Sequence, residues 1–220
     1  MGRRASWFLA AAVITLLPAA APETFADTLR LNPTDDAYVD SAAPNTNFGA
    51  SLNLYAGDRT PAAGGTCWSF VQFDLGALPP GVEILNAELW LQQHEKYGSP
   101  TVQVTVDCHH VVAPGWSEAA ITWNAPPAWA TQPTASVTDG FNVTGWHYWN
   151  VTPDVVADAA AGTRTGWLVR CTPLVPWVWL NFWSREQVPM PDERPVLEIT
   201  YSGAVAATPA TWSGVKALFR

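Results

Sequence analysis

Leu85-Asn86-Ala87-Glu88-Leu89-Trp90-Leu91-Gln92 and Thr101-Val102-Gln103-Val104-Thr105-Val106-Asp107-Cys108 decide the fold class. In the first stretch Leu85, Ala87, Leu89 and Leu91 share one parity, with Glu88 and Gln92 on the other. In the second, Val102, Val104, Val106 and Cys108 repeat the pattern against Thr101, Gln103 and Thr105. Side chains of a strand alternate between faces, so this period of two predicts half-buried β-strands. Leu197, Ile199 and Tyr201 alternate in the same way. Nineteen prolines and fifteen glycines cut the chain into short runs. Short alternating runs between such breakers predict an all-β, antiparallel sandwich or barrel. One segment reads differently. Thr152 suits a helix N-cap, Pro153 the first helical position, and Asp154 the positive end of the dipole. Val155, Val156, Ala159 and Ala160 form an apolar stripe, and Gly162 stops it. This predicts one short helix of about three turns packed over the sandwich.

The chain has 220 residues, 48% hydrophobic and 14% charged, enough to bury a core in one large domain. Arg3 and Arg4, the apolar run Trp7 to Leu17 and the small residues of Thr24-Phe25-Ala26 predict a signal peptide over residues 1–26. The domain is expected over 27–203, with a linker and C-terminal tail over 204–220. Removing two arginines and one glutamate with the leader moves the formal charge from -8 to -9. That acidity argues against nucleic acid and anionic membranes as partners, and no membrane insertion is expected after cleavage. Cys67, Cys108 and Cys171 permit one disulfide after export, or serve as small buried apolar residues.

A series of short motifs runs along the chain. It begins with Asp36-Ala37-Tyr38-Val39, Pro44, Asn47-Phe48-Gly49 and Leu54. Phe73-Asp74-Leu75 follows, with Leu78-Pro79, Gly81 and Ile84. Next come Trp116-Ser117-Glu118 and Ile121-Thr122-Trp123-Asn124, then Trp149-Asn150-Val151-Thr152 and Gly166-Trp167-Leu168. Phe182-Trp183-Ser184-Arg185-Glu186 and Arg194-Pro195-Val196-Leu197 close the series. In this order the motifs resemble the DNRLRE domain family, whose pattern usually has Asp where this chain has Asn150. The resemblance implies a jelly-roll-like antiparallel β-sandwich in secreted or cell-surface proteins. It also implies kinship with carbohydrate-binding modules, some attached to alginate-degrading enzymes.

Thirteen tryptophans then need places. Trp116, Trp123, Trp149 and Trp167 stand at aromatic positions of the motifs and are expected in the core. In the strand Trp177 to Ser184, the motif needs Phe182 and Ser184 inward, and alternation brings Val178 and Leu180 with them. Trp177, Trp179, Asn181 and Trp183 then share the outward face. Flat indole rings about 7 Å apart suit a sugar chain, and Asn181 offers a donor and an acceptor. Trp90 extends this platform if its strand lies in the same sheet, and Tyr97 is a loop contributor. Trp129 and Trp146 are weaker contributors. If a loop, the tail or a partner covers this face, the platform does not exist.

No nucleophile elbow, Walker loop, dinucleotide fingerprint or zinc-protease motif occurs. His109 and His110 point to opposite faces of a strand and cannot share an ion there. Glu118 and Glu186 are the obvious acids for glycoside hydrolysis, yet stand beside Trp116 and Arg185, where an ion pair is the plainer role. A lyase built from His147, Tyr148 and Arg170 has nothing to bring it together. No cofactor is expected beyond a structural calcium, for which Asp35, Asp36, Asp40 and Asn47 are oxygen ligands. A polar turn whose side chains cap backbone amides is the competing reading. Asn142-Val143-Thr144 and Asn150-Val151-Thr152 are glycosylation sequons. The tail Thr211 to Arg220 is more basic than the domain and looks like the short sorting or attachment tails of secreted bacterial proteins. The expected function is a secreted or surface-held, non-catalytic module that binds polysaccharide by tryptophan stacking. A structural matrix or cell-surface interaction domain is the first alternative, and a small polysaccharide-cleaving enzyme the second.

Overall fold

The computed structural model describes residues 24–60, 64–99, 101–113, 115–139, 144–162 and 164–204. Most of the expected leader, the linker and tail from residue 205 onward, and Asn142-Val143 of one sequon lie outside the described residues. Phe25–Gly203 form one compact unit.

Eleven strands and one α-helix are present among the described residues. The strands are β1 (Thr24–Leu31), β2 (Asp35–Asp40), β3 (Asn53–Asp58), β4 (Thr66–Phe73), β5 (Glu83–Tyr97) and β6 (Val104–His110). β7 (Ala135–Asp139), β8 (Gly145–Asn150), β9 (Thr165–Thr172), β10 (Trp179–Trp183) and β11 (Val196–Ala204) complete them, and α1 spans Thr152–Ala161. The strands join in one curled sheet of order β1-β11-β5-β10-β3-β4-β9-β6-β7, with β2 paired to β4 and β8 to β5. Every described register is antiparallel. The all-β, sandwich-like class read from the sequence is therefore the observed one.

Alternation builds the interior. Ala87, Leu89 and Leu91 of β5, Val104, Val106 and Cys108 of β6, and Leu197 and Ile199 of β11 meet in one buried cluster. Leu180 and Phe182 of β10 and Leu54 and Ala56 of β3 join them. Burying each such aliphatic or aromatic side chain contributes about 1.5–3 kcal/mol. Trp149 and Trp167 are fully buried, and each indole N–H finds an acceptor: Val106 O at 3.0 Å and Asp154 Oδ2 at 2.8 Å. An apolar ring with a satisfied polar edge belongs in a core. Cys67, Cys108 and Cys171 are all buried and unbridged.

Three local expectations need correction. Leu85 is exposed, because β5 carries an extra residue opposite the Thr200–Tyr201 step and Ile84 packs inward instead. In α1 only Val155 is buried and Ala159 packs on the core, whereas Val156 and Ala160 face outward. Thr152 does not cap the helix; the Val151 carbonyl accepts the first turn, and Thr152 Oγ1 accepts from Ala87 N at 2.8 Å. Gly162 does stop the helix, with φ of 70°. The third correction concerns β10, which begins at Trp179 rather than Trp177.

Candidate functional site

The parity expected for β10 holds. Val178, Leu180, Phe182 and Ser184 are buried inward, and Trp179, Asn181 and Trp183 take the other face. Trp177 stands in the turn before the strand, with φ of 65° and 54% of its surface exposed. That turn sits tightly on its neighbours. A Cβ on Gly57 would lie 2.4 Å from Val178 O, so only glycine lets β3 pass there.

The outward tryptophans of β10 are not bare. β5 runs antiparallel beside β10 and pairs Tyr97 with Trp179 and Glu95 with Asn181. One residue of β5 is extra opposite the Asn181–Phe182 step, and this β-bulge sets His94 against Trp183. The His94 and Trp183 rings stack at 3.6 Å and 12°. Tyr97 stacks on Trp179 at 4.3 Å and 15°. Trp179 is thereby 7% exposed, while Tyr97 above it is 42% exposed. The bare indole row expected from alternation is replaced by paired rings whose upper members come from β5.

The face continues across the sheet. β8 lies along one edge of β5, while β10 and β11 share the other, end to end. Trp90 of β5 pairs with Tyr148 of β8 and stacks on it at 4.8 Å, and Trp146 meets Trp90 edge-on at 6.4 Å. Tyr148 is 52% and Trp146 39% exposed. On the far side of β10, Tyr55 of β3 stands opposite Asn181. Arg59 lies over the Tyr55 ring at 4.1 Å, and Tyr38 packs edge-on against it. Four strands about 4.8 Å apart give a strip of about 15 Å, the length of roughly three sugar rings.

The polar groups of this face are held closely. His94 Nε2 shares a hydrogen bond of 3.0 Å with Asn53 Oδ1, and burial pushes its pKa down. Asn181 donates to Glu95 at 3.4 Å. The bond to Glu95 raises the Tyr97 phenol, and burial pushes Tyr38 up to about 12. The indole N–H groups of Trp90 and Trp183 and Gln92 Oε1 are enclosed without a hydrogen-bond partner.

The sequence reading missed His94, Tyr148 and Tyr55. Tyr148 was open to it, since Trp146 and Tyr148 alternate with His147 and the buried Trp149. His94 was open to it too, since it keeps the outward parity of Trp90 and Gln92; the bulge instead brings Glu95 and Tyr97 to this side. The motif tryptophans behave as expected: Trp149 and Trp167 are core, and Trp116 and Trp123 pack on a second buried cluster. Trp129, expected as a weak contributor to the platform, packs on that second cluster instead.

The four oxygen residues near β2 do not converge. Asp40 accepts from Ala42 N and Gly65 N at 2.8 Å each, and Asn47 donates to Glu118 O and Ile121 O. Asp35 accepts from Gln72 and Glu118 N and lies 3.5 Å from Arg164. Only Asp36 joins an acidic group, together with Glu118 and Glu186. Arg185 pairs with Glu118 at 3.0 Å, a contact that the sequence positions alone do not give. His109 and His110 find separate partners, Arg170 and Asp158.

A curled antiparallel sheet that presents ordered aromatic pairs on one outer face has the build of a non-covalent ligand-binding module. The chain belongs to carbohydrate-binding module family 96, whose sequence pattern matches residues 27–201. It is also similar to a gellan lyase of Bacillus sp., 35% identical over 108 residues. That match covers 48% of this chain and 4% of the lyase, so the chain spans a small part of that relative's length. No helix among the described residues is long and apolar enough to cross a membrane.

Proposed function

We propose that this protein is a secreted, non-catalytic module that binds a polysaccharide chain across the outer face of β8, β5 and β10. The observation that carries the reading is the exposure of Trp146, Tyr148 and Tyr97 on one strip, each backed by or abutting another ring. A sugar ring offers an axial C–H face to such aromatics. Trp177, exposed in the turn beyond Trp179, extends the strip in the strand direction.

The charge of the strip favours a neutral or sparsely charged glycan. Glu95 stands at its middle, and Arg59 is already 3.8 Å from Asp40. The gellan lyase relative makes gellan a natural member of the test panel. Affinity electrophoresis against neutral β-glucans, gellan and alginate tests the reading. Tyr148→Ala is expected to weaken retention about tenfold, or 1.4 kcal/mol. Retention unchanged in both Tyr148→Ala and Tyr97→Ala would remove the strip as the site. Incubation with each retained glycan is expected to release no new reducing ends and no unsaturated sugar. Self-association with no glycan retained would instead favour a structural role.

A further inference from the structure

Three acids far apart in the sequence end in one place. Asp36 lies in β2, Glu118 in the segment after β6, and Glu186 just after β10. A carboxyl oxygen from each lies within 4.8 Å of the others, the span allowed to oxygens about 2.4 Å from a shared ion. Asp36 is fully buried. Its Oδ2 accepts from Arg185 N at 2.8 Å, but its Oδ1 is enclosed with no donor. Glu186 Oε2 is enclosed in the same condition.

The charges do not close. Arg185 stands 3.0 Å from Glu118 and 3.5 Å from Glu186, and also donates to the Thr34 carbonyl. One guanidinium against three carboxylates leaves two negative charges. The nearby Arg164 is engaged with Asp35. Uncompensated charge at a buried carboxylate is strongly unfavourable. A proton between Asp36 and Glu186 would remove one charge. A divalent cation would remove both and coordinate both orphaned oxygens.

We propose that Asp36, Glu118 and Glu186 hold a hard divalent cation of the calcium class. The donors are all carboxylate oxygens from three separate segments, a set that suits the flexible coordination of calcium better than the strict octahedron of magnesium. The ion ties the start of β2, the 115–120 segment and the turn after β10 together, and so fixes the end of the strand that carries Trp183. This inference does not rest on sugar binding; it concerns a different cluster and is read by different measurements.

The test uses the whole protein. Elemental analysis before chelation is expected to find about one calcium per chain. After EDTA and dialysis, about 5 mM CaCl2 is expected to raise Tm by about 5 °C or more. Glu186→Gln is expected to abolish both the bound calcium and the Tm response. Should Glu186→Gln fail to fold, Glu118→Gln takes its place, and the wild-type response alone still decides. Metal-free protein with no Tm response to calcium would overturn the proposal, as would a Glu186→Gln variant that keeps the full response.

Discussion

Two faces of this molecule are rich in tryptophan, and they have opposite fates. Trp68 of β4 meets Trp123 at a tilt at 4.4 Å and Trp129 edge-on at 5.4 Å, and Trp116 packs beside Phe70. The segment from Val111 to Ala130 supplies three of these rings and pins itself down through Val112 N to Ala128 O and Ala130 N to His110 O. Those rings become a second core. Across the sheet, Trp90, Trp179 and Trp183 are met by individual side chains from adjacent strands, and among the described residues no segment with a backbone of its own closes over Tyr148 or Tyr97. Residue type alone does not separate the two faces. What separates them is whether a long connection has enough apolar side chains to pay for its own ordering.

The comparison can be broken at several points. Trp68→Ala is expected to cost about 3 kcal/mol in urea unfolding while leaving glycan retention by the folded protein unchanged. A smaller loss there would mean the second cluster is not a true core. His94→Ala uncovers Trp183 and removes the bond to Asn53. Acrylamide quenching of indole fluorescence should rise, and retention should fall about threefold, a smaller effect than at Tyr148 because one ring of the pair remains. No change in quenching would show that Trp183 is not capped by His94 in solution. The smallest effect is expected away from both faces. The hydrogen bond that His110 donates to Asp158, with Asp154 nearby, raises the His110 pKa above its ordinary value of about 6.5. A raised folded-state pKa gives stability that is complete below 6.5 and is lost as pH rises through the folded value. Asp158→Asn should flatten that part of the stability–pH curve; an unaltered curve would assign it to other groups.

The sequence made the inward parity of β5, β6, β10 and β11 legible, because Leu, Val and Phe recur at every second position. It also marked Gly162 as the helix stop and Trp149 and Trp167 as core. The site was legible only in part. Alternation placed Trp179, Asn181 and Trp183 on one side, but what lies above them depends on the bulge at His94 and on the pairing of β5 with β10. Neither leaves a local signal, since β-pairing joins residues about eighty positions apart. The acidic group escaped for the same reason: Asp36 was grouped with its sequence neighbours Asp35, Asp40 and Asn47, whereas its spatial neighbours come from residues 118 and 186.

β5 is the longest strand, and β10 and β11 both zip to the same edge of it, end to end. Traction applied between a ligand on the aromatic strip and the end of β11 therefore runs lengthwise through the β5–β11 ladder. Its seven residue pairs, Val196↔Trp90 through Ser202↔Glu83, are loaded together in shear and cannot peel one at a time. A single-molecule pull in that geometry should meet much higher rupture forces than one that draws β1 away from its edge.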